Sequence, residues 1–293
     1  MREGAHILPE PAIRPRRSAL YLPASNPRAI EKARTLACDV VILDLEDAVA
    51  PDAKAEARAL AVEAAKAGGF GSRELVIRVN GLDTPWGAAD LGAVSQARPD
   101  AVLIPKVSTP SDLKPYAGAG APLWAMIETC AAVFALDALG QASAAANVAV
   151  WVIGTNDLVK EMRCNPGPAR APLQPALALS VMAARAHGVA ILDGVWNDIT
   201  DLEGLERECA QGAAFGFDGK TLIHPSHLPA ANAAFAPDPE TVAWAHTVAA
   251  AFDAPECAGK GVLKVEGRMV ERLHLAQARR LIAVAEAIAA HEA

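Results

Sequence analysis

Short runs rich in β-branched and other apolar residues recur along this chain, and Ala-rich stretches with helical spacing follow them. That alternation predicts a parallel α/β architecture, because parallel neighbours need a long crossover and a helix supplies it. Eight candidate strands can be counted: Ser18 to Pro23, Val40 to Glu46, Glu74 to Asn80, Ala101 to Val107, Leu123 to Thr129, Val148 to Thr155, Val189 to Val195 and Phe215 to His224. Most are continuously apolar rather than alternating, as strands covered on both faces are. Helices are expected at Pro27 to Ala37, Ala53 to Ala67, Pro110 to Ala117, Ala131 to Ala142, Pro172 to His187 and Asp201 to Gln211. Right-handed crossovers place them outside the sheet. Eight regular units in about 210 residues suit a closed (β/α)8 TIM barrel better than an open doubly wound sheet.

The barrel is expected over residues 16–236, followed by a C-terminal helical extension or lid over 237–293. That extension reads as a helix from Pro239 to Phe252, a Gly-bounded segment from Gly259 to Gly267, and a final helix from about Met269 to Ala290. Gly259 and Gly261 supply a flexible connection. Residues 1–15 carry Pro9, Pro11 and Pro15 among scattered charges and read as an N-terminal arm, since a secretory signal needs a continuous apolar stretch.

Composition narrows the function classes. A chain of 293 residues that is 52% hydrophobic can bury a large core. Its net charge of -7, with both signs interspersed, argues against a nucleic-acid partner. Cys38, Cys130, Cys164, Cys209 and Cys257 are odd in number, widely spaced and without a CxxC pair. Neither a disulfide framework nor a zinc site is expected, and a reducing cytoplasm fits. No run approaches the roughly 18 apolar residues of a membrane span, so a soluble cytoplasmic protein with no membrane partner is expected.

In barrels of this kind the chemistry sits at the C-terminal ends of the strands. Strand two ends in Asp44-Leu45-Glu46-Asp47, strand three in Arg78-Val79-Asn80, strand four in Pro105-Lys106, strand five in Glu128 and strand six in Gly154-Thr155-Asn156-Asp157. Strand seven adds Asp193; strand eight adds Lys220 and His224. Glu128 and Asp157 come from neighbouring strands, and two hard oxygen ligands suit Mg²⁺ or Mn²⁺, which keeps its other positions for water and substrate. Arg78 can clamp a carboxylate in bidentate fashion beside them. Together these residues describe a site for a 2-oxo or 2-hydroxy acid chelated to a metal. Structural roles compete: Asp157 suits a helix N-cap, and Arg78 and Lys106 suit ion pairs with Glu46 or Asp47.

Five segments carry a resemblance: Arg17 to Ala24 (RSALYLPA), Leu43 to Val49 (LDLEDAV), Ile77 to Gly81 (IRVNG), Met126 to Thr129 (MIET) and Phe217 to Pro225 (FDGKTLIHP). The chain resembles the citrate lyase β-subunit-like family, relatives of malyl-CoA and citramalyl-CoA lyases within the HpcH/HpaI aldolase superfamily, from about residue 16 to 225. The resemblance implies Mg²⁺ on Glu128 and Asp157 and a substrate carboxylate on Arg78. It also implies that Pro23, Thr155 and Lys220 contribute to the CoA- and acid-binding surroundings. Val265 to His274 (VEGRMVERLH) is similar to the family's C-terminal motif. There the lyases commonly place an Asp, contributed across a subunit interface, as catalytic acid or base; Glu271 stands in its place here. An acid complementing the helix dipole is the competing role of Glu271.

The implied activity is carbon-carbon cleavage (or formation) of a 3-hydroxyacyl-CoA such as malyl-CoA or citramalyl-CoA, giving an acyl-CoA and a 2-oxo acid, in a homotrimer or hexamer. A pyruvate-type aldolase acting on free acids and a carrier-dependent citrate lyase β subunit are the alternatives. Hydrolysis of the thioester stays open.

Overall fold

A computed structural model describes residues 13–167 and 169–293; the arm expected over residues 1–15 lies outside the described residues as far as residue 12. The chain divides into two compact units, Arg16–Phe235 and Ala236–Ala293. In the first, the eight runs form β1 (Ser18–Pro23), β2 (Val40–Asp44), β3 (Glu74–Arg78), β4 (Ala101–Ile104), β5 (Leu123–Ile127), β6 (Val148–Ile153), β7 (Ala190–Asp193) and β8 (Gly219–Leu222). They close in sequence order into a parallel barrel, with β1 paired to β8. The crossovers are α1 (Pro27–Ala33), α2 (Lys54–Ala67), α3 (Gly87–Ala97), α4 (Pro110–Leu113), α5 (Cys130–Phe134) with α6 (Leu136–Ala145), α7 (Thr155–Met162) with α8 (Gln174–His187), α9 (Leu202–Phe215) and, after β8, α10 (Leu228–Ala234).

Strand one has its expected bounds; strands two to seven start within a residue of their expected positions but stop short of their expected ends. Glu46, Asn80, Lys106 and Glu128 leave the ladder because their backbones turn toward the next helix, while Thr155 already opens α7. The eighth expected strand began too early: Phe215 ends α9, and Gly216 closes that helix at a left-handed φ of 94°. Helices α3 and α7 escaped the sequence reading, the first behind Gly87 and Gly92, the second inside a presumed strand end. Local signals do mark other boundaries. Asn26, Thr129 and Asp201 cap α1, α5 and α9 by accepting amide hydrogen bonds from Ala29, Ala132 and Gly204.

Two apolar shells hold the barrel. One fills its interior with alternate residues of the strands, among them Val40, Ile42, Val76, Leu103, Trp124, Val150 and Leu192. The other lies between strands and helices and includes Leu43, Ile77, Ile104, Ile127, Leu177 and Leu205. A buried ion cluster joins β7 and β8 to their helices. The Lys220 ammonium, fully buried, donates to Asp193 Oδ2 at 3.2 Å, to Glu208 Oε1 at 2.7 Å and to the Gly194 carbonyl at 2.5 Å. Arg170 Nη1 donates to both Asp193 oxygens at 2.8 and 3.0 Å, and its Nε lies 3.2 Å from Glu208 Oε2. Burial alone would raise the Asp193 carboxyl, but Lys220 and Arg170 outweigh it and hold the group below the usual carboxylate range. Lys220, expected beside substrate, thus has all three donors committed inside the protein.

The second unit comprises α11 (Pro239–Asp253), an antiparallel hairpin of β9 (Val262–Val265) and β10 (Arg268–Glu271), and α12 (Arg272–Glu292). The hairpin corrects two expectations: part of the Gly-bounded segment is a strand, and the last helix starts at Arg272 rather than near Met269. Glu266 and Gly267 turn at φ of 45° and 82°, the left-handed pair that a two-residue hairpin favours. Val248, Phe252, Leu263, Val265 and Val270 form this unit's core. Among the described residues no helix is long and apolar enough to cross a membrane.

Trp124→Ala is expected to cost about 3–5 kcal/mol through the cavity it leaves, measured by urea unfolding. Lys220→Met, which strands Asp193 and Glu208 beside Arg170 alone, is expected to cost a similar amount, about 3–5 kcal/mol. Because the folded Asp193 carboxyl is depressed, its stabilisation is complete above a pH of about 4 and is lost as the pH falls further. Unfolding free energies flat below that pH would contradict this.

Candidate active site

At the C-terminal mouth of the barrel a cavity of about 300 Å³ is lined by residues that include Tyr21, Asp44, Asp47, Arg78, Met126, Glu128, Thr155, Asn156, Asp157, Asn197 and Thr221. Glu128 follows β5 and is 1% exposed. Its Oε1 accepts the Lys106 backbone N–H at 2.7 Å, and Lys106 holds a left-handed φ of 53° as it makes this bond. A Cβ on Gly154 would collide with Glu128 Oε2, so glycine at the end of β6 is what leaves room for the carboxylate. The next residue, Thr155, opens α7 and is buried; Asp157 sits in the helix's first turn. On the other side, a Cβ on Gly194 would stand 2.6 Å from Thr155 Oγ1, so a second glycine seats the start of that helix.

Arg78 closes β3. Its Nε and Nη2 donate to the two Asp44 oxygens at 2.7 and 2.6 Å. Its Nη1 lies 2.8 Å from Glu46 Oε2, a close ion pair without hydrogen-bond geometry, and 3.5 Å from Met126 Sδ. The guanidinium lies over the Tyr21 ring at 4.9 Å. Burial works against its charge, but Asp44, Tyr21 and Glu46 secure it. The bidentate face expected to clamp a substrate carboxylate is therefore occupied by Asp44, and Nη1 is the edge that remains. Asp44 in turn accepts the backbone N–H groups of Glu46 and Ala48, which winds the turn after β2 around it. Lys54 braces that turn from behind, donating to the carbonyls of Leu45 and Glu46 at 2.7 Å each and to Asn80 Oδ1 at 2.9 Å.

The mouth is short of positive charge. Burial pushes the Glu128 carboxyl up to about 8; the Lys106 amide opposes the shift, and the charges of Glu46 and Asp157 add to it. Burial likewise pushes Glu46 up to about 7, against the pull of Arg78. The donor set fits a hard divalent cation. Among the described residues no three His, Cys, Asp or Glu side chains gather at one point, so a cation on Glu128 and Asp157 would complete its shell with water or substrate oxygens, as Mg²⁺ does.

The structure brings four expected residues together: Arg78, Glu128, Thr155 and Asp157. Lys220 stays in the buried ion cluster. Pro23 ends β1 in register with Asp44 and is not part of the cavity wall. Glu271 belongs to the second unit, where it is the N-cap residue of α12 in a capping-box arrangement: His274 Nδ1 accepts the Glu271 backbone N–H at 2.9 Å. Tyr21, Met126, Asn197 and Thr221 escaped the sequence reading. Tyr21 and Met126 are inward positions of β1 and β5 whose apolar neighbours disguised them, and Asn197 follows β7 in a loop with no distinguishing pattern.

The family described as HpcH/HpaI aldolase/citrate lyase matches residues 17–225, and one described as a C-C bond lyase of the TIM-barrel fold matches residues 172–289. A (3S)-malyl-CoA thioesterase of Cereibacter sphaeroides is 49% identical over 95% of this chain and 98% of its own length. An L-malyl-CoA/beta-methylmalyl-CoA lyase of the same species is 34% identical over 97% of this chain and 99% of its own. Among solved structures, the CitE protein of Mycobacterium tuberculosis in complex with magnesium, acetoacetate and coenzyme A is similar with a TM-score of 0.74 and 30% identity, covering 92% of this chain and 97% of that one. The barrel, its mouth and these matches agree: the chain belongs to the HpcH/HpaI aldolase/citrate lyase family of carbon-carbon lyase enzymes.

Proposed function

We propose that this protein acts, with Mg²⁺, on a malyl-CoA-type thioester, and that its principal reaction is hydrolysis of (3S)-malyl-CoA to malate and CoA. The observation that carries the reading is the end-to-end 49% identity to the (3S)-malyl-CoA thioesterases. The barrel mouth supports it with the groups that a 2-hydroxy acid needs. Glu128 and Asp157 would hold the cation, with Mn²⁺ as an alternative to Mg²⁺, next to where the substrate's carboxylate and hydroxyl would bind. Bound there, the metal supplies Lewis-acid polarisation. Arg78 Nη1 orients the acid from the side, and Tyr21 and Met126 fix the guanidinium plane. The Thr155 hydroxyl and the N–H groups that open α7 are the donors available to negative charge on the thioester oxygen.

A second reading, carbon-carbon cleavage to acetyl-CoA and glyoxylate, is favoured by the 34% identity to the malyl-CoA lyase. It retains the same binding groups and assigns Glu271 as the proton donor to the enolate carbon. The family motif at the start of α12 supports that role.

Purified protein incubated with (3S)-malyl-CoA and Mg²⁺ is expected to release free thiol without glyoxylate; glyoxylate without thiol would make the lyase reading the right one. Glu128→Gln and Asp157→Asn are each expected to lose Mg²⁺-dependent turnover by about a hundredfold or more. Wild-type rates in either variant would remove the metal assignment. Glu271→Gln is expected to leave thiol release intact and to depress any glyoxylate formation.

A further inference from the structure

The Glu128–Asp157 wall has a second side. A cavity of about 380 Å³ shares these two carboxylates with the mouth and is otherwise lined by Lys106, Thr129, Lys160, Glu161 and Arg163. We propose that it is an anion site for a phosphoryl group, received by Lys106, Lys160 and Arg163.

Three observations carry this. The cations come from two separate elements, Lys106 from the turn after β4 and Lys160 and Arg163 from the end of α7, yet they meet at one cavity. Basic residues at a helix C-terminus complement its dipole, which accounts for Lys160 and Arg163 on α7 but not for Lys106 opposite them. Second, Lys160 and Arg163 are exposed and have no side-chain hydrogen bond or ion pair among the described residues, while Lys106 makes only a long 3.7 Å pair with Glu46. Third, two of the three acids of this cavity are already engaged by amides: Glu161 Oε2 accepts the Cys130 N–H at 3.0 Å, and Glu128 Oε1 accepts the Lys106 N–H. With a divalent cation on Glu128 and Asp157, the three cationic side chains would face only Glu161 and, 3.7 Å from Lys106, Glu46.

A phosphoryl group answers this arrangement better than a carboxylate. It carries close to two negative charges near neutrality and three acceptor oxygens, enough for an Arg fork and two ammonium groups together. The phosphates of the thioester's CoA moiety and free inorganic phosphate share that chemistry. The first source, and the charge balance that needs the cation, rest on the proposed function; the convergence of Lys106, Lys160 and Arg163 on one cavity does not.

The test is calorimetric titration of inorganic phosphate into the full chain in Mg²⁺ buffer, with wild type and the Lys160→Gln/Arg163→Gln double variant. Saturable binding that the double variant weakens by at least about tenfold is expected. Absence of saturable binding to the wild type, or equal affinity in the variant, would overturn the proposal. The source follows from kinetics. If the group belongs to CoA, the variant raises KM for the CoA thioester but not for the phosphate-free N-acetylcysteamine thioester. If it is free phosphate, the CoA-thioester KM is unchanged and only phosphate inhibition is lost. Calorimetry decides on the site even where neither thioester is turned over.

Discussion

The bidentate pair between Arg78 and Asp44 organises the mouth of this barrel. It ties the end of β3 to the end of β2, and it uses the fork of the one arginine that lines the cavity on an internal carboxylate. Charge balance follows from that commitment. Asp44, Glu46, Glu128 and Asp157 outnumber Arg78 and Lys106 at the mouth; burial chiefly, and neighbouring carboxylates in addition, resist the ionisation of Glu128 and Glu46. An acidic substrate would be repelled from such a hollow, and a divalent cation reverses the sign. The arginine thus shapes the site by what it holds, and a bound cation would be the group to receive an acid.

Rigidity around the pair comes from contacts with little freedom to relax. Lys54 gathers two carbonyls and the Asn80 amide behind the turn after β2, and Asn80 is bound in turn to Asp90. Gly154 and Gly194 interlock the ends of β5, β6 and β7, with Glu128 against the first and Thr155 against the second. Lys220 and Asp193 fix Gly194 from below through its carbonyl and its N–H. A buried ion cluster therefore helps set where α7 starts, and with it Asp157. Positioning of this kind would let a carboxylate after β5 and one in the first turn of α7 act as one donor set.

Much of this was legible because strand identity and strand ends are written in short-range chemistry. A run of Val, Ile and Leu that stops at Glu128 or Arg78 declares both a buried strand and the polar residue at its mouth. Lys220 shows why the same rule fails. It too closes an apolar run, but its partners Asp193 and Glu208 come from two other segments, Arg170 pairs with both from a third, and no local pattern announces that they converge. Arg78 does line the mouth, while the loss of its fork to Asp44 depends on the register of β2 against β3. The β9–β10 hairpin was hidden because four-residue strands carry too little periodicity to stand out beside a long helix.

Hydrolysis and carbon-carbon cleavage would share every group so far named at the barrel mouth, and they part in the bond broken: C–S, with water adding to the thioester carbon, or C–C, with a proton delivered to the enolate carbon. Cleavage needs an acid poised to meet a carbanion; hydrolysis needs a thioester carbon open to water and an oxyanion held while CoA departs. Relative to the lyases' usual Asp, Glu271 carries one more methylene, and it sits at the N-cap of α12 with its backbone N–H held by His274 Nδ1. A carboxylate at a helix N-cap is drawn toward the free amides of the first turn and gives up that favourable field when it reaches outward. The added length and the cap both weigh against a proton donor aimed at a carbon atom, while the amides opening α7 need no such rearrangement to serve an oxyanion. The balance between the two reactions in a barrel of this family can therefore turn on the freedom of one terminal carboxylate, with the metal-binding mouth unchanged.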